Sequence, residues 1–71
     1  MDKKAKKIVK IVKKSGFELS DIWVKGAGIL DNKEHYILYS ISGDGDYKIT
    51  EYQDRYIVIC NITREKKEVI K

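Results

Sequence analysis

Lys3-Lys4-Ala5-Lys6-Lys7-Ile8-Val9-Lys10-Ile11-Val12-Lys13-Lys14-Ser15-Gly16 is the stretch that decides the fold. At about 100° per residue, Ala5, Ile8, Val9 and Val12 fall on one face at the i, i+3, i+4, i+7 spacing of an amphipathic helix, with Ile11 to one side. The same wheel gathers Lys3, Lys6, Lys7, Lys10, Lys13 and Lys14 into an arc of about 120° opposite that stripe and leaves only Lys4 outside it. Ser15-Gly16 ends the helix, because glycine accepts the left-handed backbone of a C-cap and Lys13 and Lys14 suit the negative end of the dipole. The expected helix covers about residues 2–15, and Phe17 is placed to fold back on its last turn.

Beyond Gly16 the apolar period changes to two. A first strand is expected over 21–30, interrupted at Gly26-Ala27-Gly28, and Asp31-Asn32-Lys33 makes a hairpin turn. A second strand over 34–42 puts Tyr36, Leu38 and Ser40 on one face and Ile37, Tyr39 and Ile41 on the other. Gly43-Asp44-Gly45-Asp46 is the strongest turn signal in the chain. A third strand follows over 47–52, a turn at Gln53-Asp54, a fourth strand over 55–63 and a short fifth at Glu68–Ile70, unless Thr63 caps a helix there instead. Short loops between consecutive strands make an antiparallel meander the default. The expected fold class is therefore α+β: an N-terminal amphipathic helix on a four- or five-stranded antiparallel meander, in one domain over residues 1–71.

The sheet has more apolar surface than that helix can cover. Antiparallel strands with one wet face alternate apolar with polar, yet the second and fourth strands are apolar on both faces. The surplus is Ile37, Tyr39, Ile41, Ile57 and Ile59, or their neighbours facing the other way. Either the sheet curls strongly into a partial barrel, or its second face meets a partner or a second copy in a homodimer.

The formal net charge of +4 is unevenly spread. Residues 1–14 hold seven lysines against Asp2, a balance of +6, and the remaining eight bases face ten acids, a balance of −2. Basic character thus belongs to one element. Lys3, Lys6, Lys7, Lys10, Lys13 and Lys14 form a candidate polyanion-binding face, against the simpler reading of a solvated helix surface. With no Arg, Asn or Gln on the helix for bidentate base contacts, any nucleic-acid binding is expected to ignore sequence. The apolar stripe carries no Trp, Phe or Leu to insert into a membrane surface.

Other motifs resolve into ordinary structure. Gly26-Ala27-Gly28 lacks the third glycine and following helix of a dinucleotide loop and reads as a bulge or a close backbone approach. Gly43–Asp46 resembles the opening of a calcium loop, but Lys48 and Arg55 stand where oxygen ligands belong. His35 and Cys60 are too few soft ligands for a structural zinc site, and Cys60 sits among apolar neighbours as a buried thiol does. No cofactor is expected. A lone cysteine suits a reducing compartment, no apolar segment follows the basic start as in a leader, and no run approaches a membrane span, so a cytoplasmic protein is expected. The lack of proline and the abundance of Lys, Ile and Tyr fit a low-GC bacterial or phage source.

Among the aromatics, Trp23, Tyr39 and Tyr52 are the expected partner-binding residues, Trp23 foremost because Asp21 and Lys25 share its face under strict alternation. These readings converge on a small non-enzymatic interaction module. It binds a protein through its sheet and an acidic surface through its basic helix, as an inhibitor or regulator of a nucleic-acid-binding protein would. The alternatives are direct, sequence-independent nucleic-acid binding and a small enzyme whose site has no recognised motif.

Overall fold

The computed structural model describes residues 3–41 and 45–71. Helix α1 (Lys3–Lys14) is followed by a short helix α2 (Asp21–Lys25) and strands β1 (Gly28–Asp31), β2 (Tyr36–Tyr39), β3 (Tyr47–Glu51), β4 (Arg55–Cys60) and β5 (Lys66–Ile70). The strands form one antiparallel sheet in the order β1-β2-β3-β4-β5, a meander that does not close into a barrel.

Alpha1 presents the stripe that its sequence spells out. Ala5, Ile8, Val9, Ile11 and Val12 are all buried, and the six lysines of the opposite arc are exposed. Lys4, outside that arc, turns to the sheet instead: it pairs with Asp31, and its ammonium lies 5.0 Å from the centre of the Tyr36 ring. Gly16 ends the helix at φ 110°, a conformation that favours glycine. Phe17 follows, packing against the core cluster that includes Val9 and Val12 and edge-on to Tyr47 at 5.2 Å.

The core lies between α1 and one face of the sheet. Val12, Leu38, Ile49 and Val58 are completely buried there, joined by Ile8, Val9, Ile11, Tyr56 and Val69. Alpha1 cannot span all five strands, and Phe17, Leu19, Trp23 and Val24 cover the remainder of this face.

The expected first strand is corrected here. Residues 21–25 are helical and the strand begins only at Gly28. The Ser20 hydroxyl accepts from the Trp23 N–H at 3.2 Å, Asp21 stands in the first turn, Lys25 in the last, and the Gly26 N–H donates to the Trp23 carbonyl. A capping serine followed by an acid outweighs five residues of apparent alternation. The other strands are shorter at their ends than expected, and β5 is longer, beginning at Lys66. Thr63 caps no helix: its hydroxyl accepts from the Glu65 N–H at 3.3 Å inside the β4–β5 turn, where Arg64 takes φ 65°. Of the Gly43–Asp46 turn, Gly43 and Asp44 lie outside the described residues. Asp46 is buried, with its carboxylate accepting from the Ser40 N–H at 3.1 Å and its carbonyl from the Asn61 N–H at 2.9 Å.

Candidate interaction surfaces

The pairing register assigns every strand residue to one of two faces. Tyr36, Leu38, Tyr47, Ile49, Tyr56, Val58, Cys60 and Val69 face α1, and alternation sends their neighbours outward. The outer face carries a row in register across all five strands: Leu30, Ile37, Lys48, Ile59 and Lys66. Ile57 stands one row over, between Thr50 and Glu68. No helix of the described residues lies over this face, since α1 and the residues that extend its cover pack against the opposite side. Leu30 is 57% exposed and Tyr39 38%, while Ile37 and Ile59 are half-buried and Ile57 is buried. The surplus apolar set read from the sequence thus forms an open outer face rather than a closed interior.

Glycines shape this face. A Cβ on Gly28 would stand 2.7 Å from the Tyr39 ring carbon Cζ, one on Gly45 2.7 Å from Ile37 Cγ2, and one on Gly26 3.1 Å from Ile41 Cδ1. Successive outward side chains of the β2 segment therefore lie down on bare backbone, and the surface stays low. This is the close approach expected of Gly26-Ala27-Gly28. Beyond Tyr39 the apolar surface continues into a shallow depression of about 400 Å³ lined by Ser20, Ile22, Trp23, Gly26, Ser40 and Ile41. Ile22 and Ile41 at its rim are 87% and 89% exposed.

Of the expected partner-binding aromatics, Tyr39 lies on the open face. Trp23 does not stand on a strand: it is half-buried on α2, edge-on to Tyr47 at 5.8 Å, and the alternation that placed Asp21 and Lys25 beside it does not apply. Tyr52 sits in the β3–β4 turn, 48% exposed, with the Arg55 guanidinium 5.7 Å from its ring centre. The structure does not gather the three into one patch. Ile41 and the row through Ile37 and Ile59 are signalled by the two-sided apolar second and fourth strands, whereas Leu30, on β1, is not. Ile22 lies on α2, where strand alternation gives no signal for it.

The second surface is the solvent side of α1. Lys3, Lys6, Lys7, Lys10, Lys13 and Lys14 are brought together as expected, and among the described residues none has a salt-bridge partner. The apolar stripe beneath them is buried on the sheet, so only the lysines are offered to a ligand. The rim between the two surfaces is neutralised by contrast. Glu51 accepts from the Tyr36 and Tyr56 hydroxyls at 3.3 Å each and from Lys71 Nζ at 2.8 Å. The Lys71 hydrogen bond holds the Glu51 carboxyl below its ordinary range, and the same bond raises Lys71. On the core side, burial pushes the Tyr47 hydroxyl up, with the Cys60 and Asp46 charges adding to it.

Cys60 is buried on the helix-facing side. Burial raises its thiol, but hydrogen bonds from the Thr63 side chain and the Thr63 and Ile62 backbone more than offset this and leave it lowered. His35 stands at the opposite end of the sheet and two strands away, so the two are not brought together as a catalytic pair. No group of three or more His, Cys, Asp or Glu suited to a metal ion occurs among the described residues, and no helix of these residues is long and apolar enough to cross a membrane. No protein-family model matches the chain, no curated protein matches it in sequence, and no solved structure matches its fold.

Proposed function

We propose that this protein is a non-enzymatic interaction module that binds a protein partner through the open face of its sheet. The observation that carries the reading is the contrast across one sheet. The helix-facing side is sealed, and the other side exposes Leu30, Tyr39 and Ile41 around a half-buried aliphatic row that no helix of the described residues covers. Contiguous exposed apolar surface on a small domain marks an interaction site. The experiment is a pulldown with the full chain from cells that express it. A stoichiometric protein partner should survive nuclease treatment and be lost with Leu30→Glu combined with Ile59→Glu, variants that leave the core untouched. A partner retained by that double variant while circular dichroism reports an intact fold would overturn the reading.

A second reading, sequence-independent binding of nucleic acid by α1, is favoured by its six exposed lysines, none of which has a salt-bridge partner among the described residues. If four of them contact phosphates of duplex DNA, log K falls against log salt with a slope of about −3.6, or roughly 150-fold between about 50 and 200 mM. The triple change Lys6→Gln, Lys10→Gln and Lys13→Gln should flatten that slope and leave stability equal or slightly higher, because like charges along the helix are relieved. Absence of a gel shift at micromolar protein and about 50 mM salt would end this reading and leave the lysines to an acidic protein or to solubility.

A further inference from the structure

The open face is not simply greasy. Lys48 stands in register between Ile37 and Ile59, at the centre of the apolar row, and Lys66 follows Ile59. Among the described residues neither lysine has a salt-bridge partner. The carboxylate that the outer side of these strands offers is Glu68, and Arg55 already engages it at 3.7 Å. Any cover laid on the aliphatic row must also take Lys48 out of water. An ammonium buried without a counter-charge is strongly disfavoured, and its aliphatic neighbours provide none. A Lys48 stem can carry its ammonium to the edge of such a contact, but a cover that seats over the centre of the row gains by bringing a carboxylate to it.

A second copy stacked by the same face brings none to spare. Face-to-face stacking would add another Lys48 and Lys66 for each Glu68, and like charges brought together across an interface are costly. A bare polyanion answers the lysines but leaves Leu30, Ile37 and Ile59 wet. What satisfies both is a protein segment with a carboxylate set among apolar side chains. We infer that the open sheet face takes an acidic amphipathic protein segment whose carboxylate seats over Lys48 while its apolar residues lie on Ile37, Tyr39 and Ile59. This deepens the reading of the sheet as a protein-binding surface and rests on it.

The test is selection of a phage-displayed random dodecapeptide library against the immobilised full chain. Enriched peptides should carry Asp or Glu flanked by Leu, Ile or Phe. Their affinity should drop about tenfold or more with Lys48→Glu and with Ile59→Glu, and stay within about twofold for the triple Gln variant of Lys6, Lys10 and Lys13. Selection on the Lys48→Glu protein should reverse the charge preference to Lys or Arg. Thermal melts of each variant confirm that the fold is kept, since both positions face solvent. Enriched peptides that are uncharged or basic, yet lost with Ile59→Glu, would overturn the acidic preference and leave the protein-binding face standing. Peptides lost only with the triple Gln variant, or no enrichment at all, would overturn both. Sedimentation of the free protein as a dimer that Ile59→Glu dissociates would replace the acidic segment with a second copy.

Discussion

The two faces of the sheet are built from the same strands, often from adjacent residues, and have opposite fates. Leu38, Ile49 and Val58 are wholly buried under α1, while Ile37, Lys48 and Ile59, one position away on the same strands, look outward. Both sets are rich in β-branched and aliphatic residues. The difference is that one set meets a helix whose stripe matches it, while no helix of the described residues covers the other. Apolar content therefore does not separate the covered face from the open one in this protein; the number of layers does. The covered face stabilises the fold, and the open face is free to carry recognition.

That comparison breaks most sharply at Val12. Val12→Asp places an unpaired charge between α1 and Leu38, Ile49 and Val58, at a cost above about 4 kcal/mol, which matches the whole stability of a domain this size. The expected result is loss of a cooperative thermal transition by circular dichroism. A midpoint near that of the native chain would show that α1 does not seal the covered face.

A paired substitution sharpens it. Leu38→Ala should cost about 2–5 kcal/mol by urea unfolding, because it opens a cavity under the helix. Leu30→Ala, on the open face and 57% exposed, should change stability by no more than about 0.5 kcal/mol. Equal costs would mean that the outer face is as much a core as the inner one.

Gly28→Ala probes the open face from beneath. Its Cβ would collide with the far end of the Tyr39 ring, so the ring must lift, at no more than about 1 kcal/mol because the ring is exposed. Tyr39→Ala should remove most of that penalty, giving a coupling of at least about 0.5 kcal/mol in a double-mutant cycle. Additive effects would show that the ring does not lie on Gly28.

The smallest effect is at the rim. The Glu51 carboxyl is held below its ordinary range in the folded chain by the Lys71 hydrogen bond, so its contribution is complete above the unfolded value of about 4.3 and disappears as pH falls through the lower folded value. Glu51 and Lys71 are both about a third exposed, so solvent screens the pair and the effect is small. Urea unfolding between about pH 5 and 3 should show native stability falling more steeply than that of Glu51→Gln, and high salt should narrow the gap. Parallel pH profiles would remove Glu51 from the set of groups that close the covered face.

Much of this architecture was legible in the chain because it rests on local periodicity. The lysine arc of α1, its buried stripe, the exclusion of Lys4 from the arc and the meander of β2 to β5 all follow from spacings of 3.6 and 2. Alpha2 was not legible by alternation, since five residues satisfy either period; the capping pair Ser20-Asp21 was the signal that distinguishes them. Two-sided apolar strands signal a surplus face, but they are equally compatible with a strongly curled partial barrel, and alternation puts Trp23 ahead of Tyr39 and Tyr52 as the partner-binding aromatic. Only the tertiary structure decided that the sheet stays open, that Trp23 turns onto Tyr47 and that Tyr39 lies down on Gly28. Those outcomes depend on which surfaces meet across the molecule, and the energy of that meeting is written in no single stretch of sequence.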